Sequence, residues 1–120
     1  MSDALWYLAT PYSKQPDPEQ AWQDACTAAA YLMKQNIRVF CPIAHTHAIA
    51  TRGGDDLRKI ATGNHDFWLA HDLPMMERCQ GLIIVQMPKW DESFGVAFEI
   101  EHFEKTKKPI VYMRWPINVA

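Results

Sequence analysis

The run Gly81-Leu82-Ile83-Ile84-Val85-Gln86-Met87 carries apolar residues on both sides of its alternation. A strand that buries one face alternates apolar and polar residues. A run like this one is buried on both faces, as in the middle of a parallel sheet. After it comes Trp90-Asp91-Glu92-Ser93-Phe94-Gly95-Val96-Ala97-Phe98-Glu99, which leads into a segment, Val96 to Lys105, with apolar and charged residues at helical spacing. Ser93 and Gly95 therefore fall where a strand hands over to a helix, and Glu99 falls in that helix's early turns. Open α/β sheets bind ligands outside the carboxyl ends of their strands. The chain is expected to present Glu99 there, with Ser93 and Gly95 beside it.

The remaining segments fit the same architecture. Ala4 to Ala9 reads as a short buried strand, ended by Thr10-Pro11-Tyr12-Ser13. Asp17 is a candidate N-cap for a helix that starts at Pro18 and runs to Gln35, with Trp22, Ala25, Ala29 and Leu32 as its buried stripe. Asn36 suits the left-handed stop. Ile37 to Cys41 is a second strand, broken by Pro42; together these make a βαβ unit with a parallel pair and a right-handed crossover. Between Ile43 and Asn64 the pattern is weak: His45-Thr46-His47 opens a loop or short helix, and Arg52 to Asp56 reads as a surface turn. His65 to Cys79 is a helix with Pro74 as an interruption. A fourth strand, Ile110 to Met113, follows the turn Lys107-Lys108-Pro109. The expected fold is a three-layer α/β domain with a mainly parallel sheet of four to five strands, flavodoxin- or Rossmann-like.

Composition narrows the function. A chain of 120 residues, 48% hydrophobic, is long enough to bury a core. Its net charge of −2 argues against a nucleic-acid wrapper or a polybasic membrane binder. There is no apolar run of membrane-span length and no signal-peptide pattern, so a cytoplasmic protein is expected. Cys26, Cys41 and Cys79 are odd in number and flanked by apolar residues, which fits buried free thiols rather than a disulfide or metal set.

Polar residues cluster at the ends of the first and third strands. Gly95 lets a ligand approach the backbone, and Ser93 is placed to cap a helix whose free amides attract phosphate. The plainest alternatives are that Ser93 is only a cap, Gly95 only a turn, and Glu99 a solvated glutamate like Glu101 and Glu104. Against the last, Glu99 lies on a face that otherwise reads apolar. Asp72 follows His71 inside an otherwise apolar helix; it is either an exposed or capping acid before Pro74 or a second site carboxylate. Two carboxylates in one pocket can do glycosidic chemistry, one at the sugar and one at the proton. His45-x-His47 lacks partners at metal-ligand spacing, so lining a cleft or bonding locally is expected and no metal is. No P-loop, G-x-G-x-x-G or G-x-S-x-G occurs.

These residues resemble a known family. Tyr7-Leu8-Ala9-Thr10-Pro11-Tyr12-Ser13 is similar to the first strand and loop of the nucleoside 2-deoxyribosyltransferase-like superfamily. Ser93-Phe94-Gly95-Val96-Ala97-Phe98-Glu99-Ile100 resembles its glycine-containing turn, which delivers a nucleophilic glutamate. Asp72 matches the acid that precedes the third strand. The resemblance covers residues 1–120 as one such domain, and it is nearest to short bacterial and phage proteins sharing Trp90-Asp91-x-Ser93-x-Gly95-Val96.

The resemblance implies roles. Glu99 would attack or stabilise the anomeric carbon of a (deoxy)ribosyl group, Asp72 would assist the leaving base, and Tyr7 would position the glutamate. Thr10, Tyr12 and Ser13 would hold the sugar or its 5′ end, with His45 in the cleft. The transferases carry an aspartate where this chain has Ser93. A serine there resembles the nucleoside 5′-monophosphate N-glycosidases, where it helps bind phosphate, and this favours a nucleotide hydrolase over base exchange; the presence of both Glu99 and Asp72 counts against a non-catalytic nucleotide-binding domain. Arg52 and Arg58 are the candidate phosphate partners. Gln80 replaces a common aspartate before the third strand. The implied partner is a nucleoside or nucleotide, without cofactor, membrane or nucleic-acid polymer, in a homodimer or larger assembly.

Overall fold

A computed structural model describes residues 3–12 and 15–117. Four strands, β1 (Leu5–Ala9), β2 (Arg38–Phe40), β3 (Gly81–Gln86) and β4 (Ile110–Arg114), form one sheet in the order β2-β1-β3-β4. Every pairing is parallel. The helices are α1 (Pro18–Lys34), α2 (Pro42–Arg52), α3 (Gly54–Ala61), α4 (His65–Arg78) and α5 (Phe94–Lys105), with a 3-10 turn at Trp90–Glu92. This is a flavodoxin-like α/β fold with four strands, the lower of the two numbers expected.

Alternation along the strands separates two cores. Leu8, Ile83 and Val85 face α1, where Ala25, Ala28, Ala29 and Leu32 meet them. Tyr7, Ala9, Leu82 and Ile84 face the other way, toward Met76 of α4 and Val96 and Phe103 of α5. Because β3 is covered on both faces, its apolar run is continuous. Each fully buried side chain there stabilises the fold by about 1.5–3 kcal/mol, so truncating Ile84 to Ala would cost about 2–5 kcal/mol. Trp22 is half-buried; the inner stripe of α1 is alanine-rich and also includes Ala21 and Ala28.

Local signals account for most boundaries. The Asp17 carboxylate accepts from the amides of Glu19 (3.1 Å) and Gln20 (3.3 Å), capping α1. Asn36 has φ of 64° and ends the segment after α1.

Three expectations are corrected. The stretch from Ile43 to Asn64 is mostly helical, and Pro42 serves as the first residue of α2 as well as ending β2, since a proline needs no amide partner there. The surface turn expected over Arg52 to Asp56 is shorter: it lies at Gly53 and Gly54 (φ 74°), while Arg52 ends α2 and first-turn Asp55 and Asp56 with last-turn Arg58 and Lys59 complement the dipole of α3. Pro74 does not break α4. Both Pro74 and Ala70 are exposed, so water can take the carbonyl that loses its helical partner.

Among the described residues, Cys41 and Cys79 are buried free thiols, and Cys26 is a half-buried one. Trp115 packs against the α1-side core of its own chain, and among the described residues no helix is long and apolar enough to cross a membrane.

Candidate active site

The strand order reverses direction between β1 and β3: β2 lies to one side of β1 and β3 to the other. The loops leaving β1 and β3 diverge there, which opens a crevice at the carboxyl end of the sheet. α2, the end of α3 at Ala61 and α4 supply further walls. The result is a cavity of about 430 Å³. Thr10 and Tyr12 line it from the loop after β1, and Ser93, Phe94, Gly95 and Glu99 from the start of α5. Asp72, Trp68, Leu69 and His65 come from α4, and Thr46 and His47 from α2.

Glu99 sits on the inner face of α5 and is only 8% exposed. Tyr7, in the middle of β1 between Phe40 and Leu82, is fully buried beneath it. The Tyr7 hydroxyl and the Glu99 carboxyl interact, but short of a well-formed hydrogen bond; the hydroxyl has no other protein partner among the described residues. Burial, then the nearby negative charge of Asp72, push Glu99 well above the ordinary carboxylate range, while the Tyr7 hydroxyl pulls it down. Burial, then the charges of Glu99 and Asp72, likewise hold the Tyr7 phenol upward.

Asp72 is half-buried on α4. Burial raises it to about 6, against the downward pull of His45 and His71. Two carboxyl groups that feel each other in a part-dry site titrate as a pair, and the repulsion favours holding one proton between them. Such a pair supplies an acid and a base together.

Ser93 is 3% exposed and caps α5, its Oγ accepting from the Val96 amide at 3.3 Å. Gly95 lines the cavity in the first turn of α5, where an added Cβ would meet only the Ser93 Oγ, 3.9 Å away. The Thr10 hydroxyl is buried, without a well-formed hydrogen bond among the described residues. Ser13 lies outside the described residues.

His45 is not on the cavity wall. It is exposed, tilts against Phe40 with ring centroids 5.6 Å apart, and reaches the cavity only through its field on Asp72. His47 is the lining histidine instead. The two sit two residues apart on a helix, about 200° around its axis, so they point to different neighbours. A strand would have aimed both one way.

Arg52 and Arg58 do not line the cavity; Arg58 pairs with Asp55 on the surface. Among the described lining residues there is no Lys or Arg, while two carboxyl groups are present. His65, Trp68 and Phe94 also belong to this wall and were not singled out in the sequence, where His47 stood only as half of His45-x-His47. The one available hint was His-x-His, which could not say which histidine turns inward.

Residues 4–115 match the family model described as Domain of unknown function (DUF1937). No curated protein matches the sequence significantly. Among solved structures the fold is shared with a 2-deoxyribosyltransferase from the psychrotolerant bacterium Bacillus psychrosaccharolyticus. The TM-score is 0.64 at 18% identity, covering 98% of this chain and 77% of that one. The fold is thus shared with a solved 2-deoxyribosyltransferase, as the resemblance of the sequence motifs implied, and by sequence the chain belongs to the DUF1937 family.

Proposed function

We propose that the protein cleaves the N-glycosidic bond of a (deoxy)ribonucleoside. One observation carries this reading: a buried glutamate on the cavity wall, coupled to a second carboxyl group and backed by a buried phenol. Glu99 in its ionised form attacks the anomeric carbon as the bond from carbon to base nitrogen breaks. Asp72 hands a proton to the departing base. Water then attacks the same carbon, gives a proton back to Asp72 and releases Glu99, leaving free base and free sugar. Tyr7 holds the carboxylate and offsets part of its burial cost. Positive charge developing on the sugar favours ionised Glu99 at the moment it is needed.

Charge favours the nucleoside over its 5′-monophosphate. The helix start at Ser93 offers amides to an anion, but among the described residues the lining has two acids and no Lys or Arg. A phosphate dianion would face net repulsion. Ser93 in place of an acid removes one negative charge without adding a positive one. Base exchange, the chemistry in the name of the solved protein of this fold, differs only in the acceptor: a second base replaces water.

The test is incubation with a panel of nucleosides and 5′-monophosphates, following free base by chromatography, with Glu99→Ala in parallel. Release from at least one nucleoside, lost in the variant, is expected. Equal inertness of both proteins on every substrate would end the enzyme reading. Adding a second base separates transfer from hydrolysis.

A further inference from the structure

Tyr12, on the cavity wall, is one end of a chain of hydrogen bonds that leads out of the cavity. Its hydroxyl lies 2.8 Å from the Nδ1 of His47, and the Nε2 of His47 lies 3.1 Å from the Oε2 of Glu19. The imidazole is stacked on Trp22, with centroids 4.9 Å apart and planes at 18°. Trp22 is itself fixed by donating from its indole N–H to the Ala44 carbonyl at 3.3 Å. Glu19 and Trp22 stand one turn apart on α1, and His47 is on α2. The loop after β1 and two helices thus converge on one hydroxyl.

With His47 neutral, the donor and acceptor inventory sets the direction of this chain. A carboxylate only accepts, so the Nε2 of a neutral His47 must carry the proton. The Nδ1 is then a bare acceptor, and the Tyr12 hydroxyl must spend its proton there. What remains on Tyr12 toward the cavity is oxygen lone pairs. The two walls also differ in character. Trp68 and Phe94 offer an aromatic side suited to a planar base, whereas Tyr12 and Thr46 carry hydroxyls.

We propose that Tyr12 accepts a hydrogen bond from a sugar hydroxyl of the ligand, with His47, Glu19 and Trp22 as positioning residues that fix its polarity. This rests on the nucleoside reading of the cavity and names the group on that ligand which the polar wall reads.

The experiment uses the full chain carrying Glu99→Gln, so that binding is measured without turnover. A nucleoside and its 2′-, 3′- and 5′-deoxy analogues are titrated by calorimetry. Tyr12→Phe is expected to weaken the parent about tenfold and to leave unchanged the one analogue that lacks the hydroxyl being read. His47→Leu should reproduce this loss. His47→Gln should restore most of it, because its amide can accept from Tyr12 and donate to Glu19. With Glu99 restored, Tyr12→Phe should raise KM and leave kcat nearly unchanged. Equal weakening of all analogues, or none, would overturn the proposal.

A second readout needs no substrate. Nitrogen-15 correlation spectra of the free protein should show His47 protonated at Nε2 and bare at Nδ1. A proton on Nδ1 of the neutral ring overturns the assignment whatever the activity. If nucleosides bind with this Tyr12 dependence but no base is released, only the glycosidase reading fails. If no nucleoside binds, both fail.

Discussion

The Tyr7 hydroxyl and the Glu99 carboxyl face each other between the sheet and α5, both removed from solvent. A carboxyl group in that position is costly to ionise, and the phenol is the neutral donor that lowers the cost. Tyr7→Phe should therefore reduce the rate about 10- to 100-fold, the range for a lost hydrogen bond to a charged group in a dry site. It should leave thermal stability close to wild type, because the hydroxyl acts on ionised Glu99 during the reaction and has no well-formed bond to lose in the resting fold. Steady-state kinetics and a melting curve on one variant check both halves.

Stability should fall as pH rises. The folded-state pKa values of Asp72 and Glu99 both lie above their unfolded values. Between the two values the native state holds more protons than the unfolded chain, so each group's stabilisation is full below its unfolded pKa and lost as pH rises through its folded pKa. For Asp72 that window runs from 3.8 to about 6, and for Glu99 it extends well above the ordinary carboxylate range. Asp72→Asn should gain on the order of 1 kcal/mol at pH 8 relative to wild type, after solvent screening of this part-exposed group. Glu99→Gln should gain more, and both gains should vanish near pH 4. Chemical denaturation across pH measures this; a gain that grew toward acid pH would contradict it.

Activity should be bell-shaped in pH, since the working form holds one proton between two carboxyl groups. The acid limb should fall near pH 6. In Asp72→Asn only Glu99 titrates, so the remaining slow activity should rise with pH and level off without an alkaline limb. An alkaline limb that survived in that variant would assign the acid to another group.

Ser93 and Gly95 should separate fold from binding. Ser93→Ala removes the cap of α5 and should cost about 1 kcal/mol. Gly95→Ala should be neutral or stabilising by about 0.5–1 kcal/mol, since the new Cβ has room and the position is helical. The same methyl protrudes into the cavity and should weaken nucleoside binding. Melting temperature and calorimetric affinity moving in opposite directions is the expected signature.

Much of this protein was legible one segment at a time. The caps Asp17 and Ser93, the left-handed Asn36 and the doubly buried strand ahead of Glu99 are local devices, set by neighbours within a few positions along the chain. α2 and α3 were hidden because they are short and bury little, with Pro42 the buried residue of one and Ala61 of the other. Local pattern could also place Glu99 on a helix but not tell a buried carboxyl group from a solvated one like Glu101. That depended on the parallel order β2-β1-β3-β4, which puts Tyr7 beneath α5 and brings α4 with Asp72 to the same crevice. The exchange of His45 for His47 has the same origin: direction from a helix is set by what packs on each side of it. Chain-local sterics and hydrogen bonds are written in adjacent residues, whereas the desolvation and charge coupling that make a site arise only between segments the sheet assembles.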